Sequence, residues 1–242
     1  MTAEAELSSI EAALDFIANA DAEGLDSQDY QLQQLRHLRQ QLPQSASIAA
    51  ELELRTTQAV LTLVRDLSRG RLAATAADSD WHISQPTFDT VTFLLEAAKS
   101  HTLQHSLQNL SSQNLGYQQL KQTLARYRQH IIEHPTWIHI PATPSIRPST
   151  TDDIIPLIRQ RIAQAYAIDG IAEFRLTSNL SQHYDEELVT AIKTFQTQHG
   201  LNPDGIIGKN TIRALNIPLA WKIRQLRIAM ERLRWLPKNL GK

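Results

Sequence analysis

Five of the chain's ten prolines fall between Pro135 and Pro156. Each proline ring removes a backbone donor and biases the residue before it toward extended geometry, so Pro135-Thr-Trp-Ile-His-Ile-Pro-Ala-Thr-Pro-Ser-Ile-Arg-Pro148 cannot form a long helix. Ser149, Thr150 and Thr151 continue the same weak helix-forming stretch. A domain boundary is placed here. The sequence reading divides the chain into a first domain over 1–134, a second over 135–217 introduced by the proline-rich segment, and a connecting helix over 218–242.

On either side of that boundary the pattern is helical. Glu4 to Ala22 carries Leu7, Ile10, Leu14 and Ile17 on one helical face, and Gly24 stops it. A helix is predicted from Ser27 to about Leu42. A longer one is predicted from Ser47 to Ser68, where Leu54, Ala59, Leu61, Leu63, Val64 and Leu67 spread too widely for a surface helix and mark the buried centre of the first domain. Further helices are predicted over 87–99, 102–110 and 116–132, punctuated by Gly70 and Pro86. Beyond the prolines, Asp152 or Asp153 can cap a helix reaching Tyr166, which Gly170 ends. The predicted fold class is mainly α: a helical first domain followed by a small three-helix domain.

With 242 residues, 42% hydrophobic and 20% charged, the chain has the composition of a folded globular protein rather than a disordered or fibrous one. A net charge of −1 supplies no overall footprint for nucleic acid or an anionic membrane. No apolar run approaches membrane-spanning length. Met1-Thr-Ala-Glu-Ala-Glu6 is acidic where a secretory signal is basic and then apolar, so no export signal is expected in this chain. There is no cysteine, which excludes thiol chemistry.

Three of the eight glycines lie between Gly200 and Gly208, inside the most informative stretch, Tyr184 to Asn216. Asp185 is placed to accept the first free amides of a helix, Glu186 and Glu187 suit its positive end, and Gly200 can take the left-handed closing conformation. Leu188, Ile192 and Phe195 form the apolar stripe of that helix, with Phe195 as core anchor. Leu201 re-enters the core, Asn202-Pro-Asp-Gly205 supplies turn chemistry, and Gly208 opens a short helix through Leu215 that ends near Asn216.

The combination of Phe195-Gln196, His199-Gly-Leu201, Asp204-Gly205, Ile207-Gly208, Thr211 and Ala214-Leu-Asn216 is similar to the widespread three-helix peptidoglycan-binding domain. Trp137-Ile-His-Ile-Pro141 and Arg147-Pro148 resemble the lead into this domain in large murein L,D-transpeptidases, and Met230-Glu-Arg-Leu-Arg-Trp-Leu-Pro237 resembles the way out of it. Gly24-Leu-Asp-Ser-Gln-Asp-Tyr30 and Arg65-Asp-Leu-Ser-Arg-Gly-Arg71 resemble, more loosely, the helical scaffold domain of the same enzymes.

The resemblance implies a cysteine nucleophile in a catalytic domain that begins after such an exit. The expectation is therefore a non-catalytic scaffold and wall-binding region, with catalytic residues outside the chain shown and no cofactor. Its implied partners are peptidoglycan, through glycan strand or stem peptide, and a covalently following catalytic domain. Its implied location is the cell envelope, in the periplasm.

In a shallow groove beside the Gly200 to Thr211 loop the expected ligand contacts are Gln196, Asp204, Asn210 and Thr211, beside an apolar wall. Against each stands the plainer reading that these residues, with the glycines, only build the turn and the next helix. A purely structural interdomain support is thus the alternative function. His130-Ile-Ile-Glu133-His134 literally fits a zinc-peptidase pattern, but Pro135 follows at once and no third ligand is evident, so no metal is expected. His101 and His105 lack an intervening glutamate and read as solvated. Trp81 and Trp137 read as packing lids rather than sugar-stacking platforms. The positive run from Lys222 through Arg224, Arg227, Arg232, Arg234 and Lys238 to Lys242 reads as a solvated helix face, with Ile223, Leu226, Met230 and Leu233 turned inward.

Overall fold

The computed structural model describes residues 3–42, 45–100, 102–134, 136–169 and 181–237. His101, Pro135, Gly170, Lys238 and Lys242 lie outside these, as does the side chain of Leu7. The fold is mainly α. Its helices are α1 (Ala3–Ala18), α2 (Leu32–Gln40), α3 (Ala46–Arg69), α4 (Ala74–Ala77), α5 (Thr90–Lys99), α6 (Leu103–Gln108), α7 (Leu115–Glu133), α8 (Ile155–Asp169), α9 (Glu186–Gln198), α10 (Lys209–Leu215) and α11 (Leu219–Arg234). Among the described residues the only β pairing is two isolated bridges, Ile146 with Ile207 and Thr151 with His183. The chain separates into two compact units, Met1–Leu124 with Gln225–Lys242, and Ala125–Arg224.

The first unit is organised on α3. Ser45 starts this helix by accepting from the Ile48 amide at 3.2 Å. Leu52, Ala59, Val60, Leu63, Val64 and Leu67 are buried along it, with α1, α2 and α5 packed against it. Each such leucine or valine contributes about 1.5–3 kcal/mol when removed from water. Leu54, by contrast, is 71% exposed.

The helix predicted over Ser27 to Leu42 is broken. Ser27–Tyr30 forms a tight 3-10 turn, Gln31 adopts φ 59°, and α2 begins only at Leu32. Two interactions that sequence spacing does not display hold the break: Asp26 accepts from the Gln28 amide, and the Tyr30 hydroxyl donates at 2.9 Å to the buried Asp66 carboxylate.

The C-terminal residues of this unit are embedded rather than uniformly solvated. Arg227 Nε donates to Gly24 O at 2.8 Å, and Met230 is fully buried. The buried Arg234 guanidinium donates to Glu23 O and to the Tyr117 hydroxyl and pairs with Glu231. Glu231 Oε1 accepts from the amides of Arg71 and Leu72 at 2.6 and 3.1 Å and from Trp235 Nε1 at 3.2 Å. Trp235 is buried against Gly70, and Trp81 meets its ring edge to face at 5.3 Å. A solvated face thus fails for Arg227 and Arg234, because each guanidinium reaches a main-chain carbonyl far away in sequence.

The second unit closes α8, α9 and α10 over Ile155, Ile158, Ile162, Tyr166, Leu188, Ile192, Phe195, Ile207 and Leu215. Asp152 leads into α8: its carboxylate accepts from the Ile154 amide and its carbonyl from the Ile155 amide. The proline-rich segment cannot pair as a strand over its length, and two side-chain amides serve it instead. Gln164 accepts from Ile138 N at 3.2 Å and donates to Thr136 O at 3.1 Å. Asn216 accepts from Ile140 N at 2.8 Å and donates to Ile140 O at 2.7 Å. A carboxamide matches a peptide group donor for acceptor, which satisfies the main chain of fully buried Ile140.

Candidate functional site

Helix α9 starts where Asp185 Oδ1 accepts from the Leu188 amide at 3.0 Å, and the same carboxylate pairs through Oδ2 with Arg159 at 2.8 Å. Burial opposes ionisation of Asp185, but the Leu188 hydrogen bond and the Arg159 guanidinium outweigh it and hold the carboxyl below its ordinary range. Arg159 itself is 1% exposed, so this pair fixes the start of α9 on the side of α8. Tyr166 donates to Ala191 O at 2.6 Å, tying α8 to the middle of α9, and Tyr184 donates to Gly205 O at 2.7 Å, holding the glycine-rich loop. Burial, and then the Asp204 carboxylate, push the Tyr184 phenol well above its ordinary range.

The loop from Gly200 to Gly208 is organised from below by Gln196. Its Nε2 lies within hydrogen-bond reach of Ile206 O at 3.0 Å, Asp204 Oδ1 at 3.2 Å and Thr211 Oγ1 at 3.2 Å, and its Oε1 accepts from Gly205 N at 3.0 Å. Gln196 and Thr211 are both buried. Asp204 Oδ1 also accepts from Ile206 N at 2.8 Å, closing the turn after Pro203. Gly205 needs to be glycine: its φ is +75°, and a Cβ there would stand 3.1 Å from Lys193 Cε and 3.3 Å from Val189 Cγ1. Gly200, at φ +66°, is constrained by conformation alone, since nothing lies within 4 Å of an added Cβ. Gly208 is extended at φ −101°, and an added Cβ would meet only Ser145 Oγ at an ordinary 3.5 Å.

The four polar residues singled out from sequence therefore occupy two levels. Gln196 and Thr211 form the buried support; Asp204 and Asn210 stand exposed above it, with Asn202, Pro203 and Lys209. Phe195 is buried beneath, its ring stacked on His199 at 3.9 Å, while His199 Nδ1 lies 2.9 Å from Phe195 O. Sequence spacing did not reveal that Gln196 touches four partners at once. A buried glutamine directly after a core phenylalanine, eight residues before an aspartate-glycine turn, is the signal that would have shown it.

The other candidates resolve differently. The His130 and His134 rings lie 4.6 Å apart, but Glu133 accepts from Gln129 at 2.7 Å and His130 is buried. Burial, helped by His134 and Arg161 and opposed by Glu133, lowers the His130 pKa. Among the described residues no group of three or more histidine, cysteine, aspartate and glutamate side chains could hold a metal ion. Trp137 covers Arg161, whose guanidinium carbon sits 3.6 Å from the ring centroid. His105 is exposed and within 3.0 Å of Asn109.

A family model described as "Scaffold domain" matches residues 3–124, and one described as "Putative peptidoglycan binding domain" matches residues 158–215. No curated protein matches the chain. The two matches support a scaffolding and cell-wall-binding role and point to the cell envelope. Since the first match spans half of the 242 residues, the chain belongs to the scaffold-domain family, and it carries a peptidoglycan-binding domain after it.

Proposed function

We propose that this chain is the scaffold and wall-anchoring region of a murein L,D-transpeptidase acting in the periplasm, with 1–134 as scaffold, 135–217 as the peptidoglycan-binding domain and 218–242 as the connection to a catalytic domain. The observation that carries the reading is the succession, in one cysteine-free chain, of a scaffold domain and a peptidoglycan-binding domain. A thiol nucleophile would have to come from another part of the protein. The contribution of this chain is then proximity: anchoring on the polymer raises the local concentration of stem peptides without entering bond making.

Ligand contact is assigned to Asp204 and Asn210, exposed beside the loop, with Gln196 and Thr211 holding that loop from within. Co-sedimentation of the purified chain with sacculi tests the reading. The chain pellets with the wall at low and moderate salt, and Asp204→Ala with Asn210→Ala reduces the pelleted fraction; a chain that stays in the supernatant refutes wall binding. The alternative, a structural support without ligand, is favoured by the internal engagement of Gln196 and Thr211. It requires the Asp204 and Asn210 variants to behave as wild type while Phe195→Ala alone impairs the protein by opening a core cavity.

A further inference from the structure

The first unit contains a cleft of about 750 Å³ remote in sequence from the glycine-rich loop. Its walls come from the end of α3, the turn through Gly70 and the segment leading into α5. Arg65, Arg69 and Arg71 line it together with apolar Leu72 and Phe88 and a single carboxylate, Asp89. Arg65 and Arg69 stand one helical turn apart on α3, on the same side.

The charges are unevenly answered. Arg65 pairs with Asp66 at 2.7 Å, and Arg71 pairs with Asp29 at 2.6 Å and approaches Asp66 at 3.7 Å. Asp89 is occupied at the start of α5, accepting from Thr92 N at 3.0 Å and from Thr92 Oγ1 at 2.7 Å. Arg69 has no acidic partner among the described residues. Of the three guanidiniums around the cleft, Arg69 is the one left without a carboxylate among the described residues, and an anion entering the cleft can pair with it.

The walls are already fixed. Gln85 donates to Arg69 O and Leu72 O and accepts from Ala74 N, all at 3.0 Å, while Glu231 holds the amides of Arg71 and Leu72. A cleft fixed by its own main chain orders little on binding. Leu72 is 57% exposed, so an occupant with small apolar groups would cover surface otherwise left in water.

We infer that this cleft binds a short carboxylate-bearing peptide with small apolar side chains, with Arg69 as the carboxylate-recognising residue. The occupant we assign is the stem peptide of peptidoglycan, a choice that rests on the wall-binding reading above. The chain then holds murein at two places: through the loop at Asp204 and Asn210, and through a carboxylate in the scaffold unit.

The test uses the full chain in calorimetric titrations with a disaccharide-tetrapeptide muropeptide, the same muropeptide with its carboxylates amidated, and the disaccharide without peptide. Wild type binds the free acid about tenfold more tightly than the amide, the scale of one charge-assisted hydrogen bond. Arg69→Gln abolishes the difference, and Arg69→Lys keeps part of it. Arg69 is exposed and has no ion-pair partner among the described residues, so Arg69→Gln should leave the thermal midpoint within about 2 °C of wild type. If Arg69→Gln discriminates acid from amide as wild type does, or if wild type does not discriminate, the cleft assignment is overturned. An acidic peptide of ordinary L-residues that binds equally well in an Arg69-dependent way overturns the murein assignment. Sacculus sedimentation separates the two failures: a chain that pellets with sacculi but shows no Arg69-dependent discrimination loses only the cleft, whereas one that fails to pellet loses the wall-binding reading itself.

Discussion

Replacing Gly70 by alanine should unfold the first unit's C-terminal attachment. Gly70 closes α3 at φ +85° and ψ +161°, a backbone conformation that essentially only glycine adopts, at a cost of about 1–3 kcal/mol for other residues. A Cβ there would fall 2.7 Å from Trp235 Cδ1 and Nε1 and 2.8 Å from Glu231 Oε1. Trp235 is a rigid, buried ring held by Glu231 and Trp81, so it cannot swing aside as a flexible chain end would. Displacing it weakens the Glu231 bonds to Arg71 N and Leu72 N, about 1 kcal/mol or more each when a carboxylate is the acceptor.

Backbone strain and lost contacts together give about 3–5 kcal/mol, which for a chain of this size lowers the thermal midpoint by roughly 6–20 °C. Urea unfolding followed by tryptophan fluorescence measures it. The Trp235 part of the clash disappears in a Trp235→Ala background, while the backbone strain and the approach to Glu231 Oε1 remain, so the Gly70→Ala penalty should shrink there by at least about 1 kcal/mol. A loss below about 1 kcal/mol in the wild-type background, or equal penalties in both, refutes the geometry on which this rests.

Asn216→Ala removes both bonds to the main chain of buried Ile140 and should cost about 2–4 kcal/mol, while Asn216→Asp restores the acceptor only and recovers part of the loss; chemical denaturation distinguishes them. Asp185 has a depressed carboxyl pKa, so its stabilisation is complete above the unfolded value of about 3.9 and is lost as pH falls through the folded one. Asp185→Asn should therefore flatten the acid limb of a stability–pH curve below about pH 4 and lower stability at neutral pH. His130 is likewise depressed, so the folded protein resists its protonation. Stability from this group is full above the unfolded value of about 6.5 and declines as pH falls below it, and His130→Gln should remove that decline from the same curve.

Much of the helical order was legible because it rests on local chemistry. Asp185 caps α9, Gly24 and Gly200 close their helices with positive φ, and the apolar spacing of α3 predicts its buried face. What escaped the sequence depends on partners far along the chain. The break at Gln31 goes with the bond from Tyr30 to Asp66, and the burial of Arg234 depends on Glu23 and Tyr117. In the candidate site, the turn residues were evident from glycine and proline placement, but the separation of Gln196 and Thr211 from Asp204 and Asn210 was not. Polar residues around one turn look alike in sequence until the fold decides which of them face inward.

The paired bonds between Ile140 and Asn216 also give the second unit a mechanical property. They join Ile140, ahead of α8, to a residue at the end of α10, and with the Arg161 bond to Leu215 O and the Ile146–Ile207 bridge they mean that a pull applied across these points meets short-range bonds before it can stretch the helices between. Under the proposed wall binding, the module would be loaded through its ends as the wall moves. With its two ends buttoned together, this one would carry such a load at its base and leave the loop at Asp204 and Asn210 undistorted.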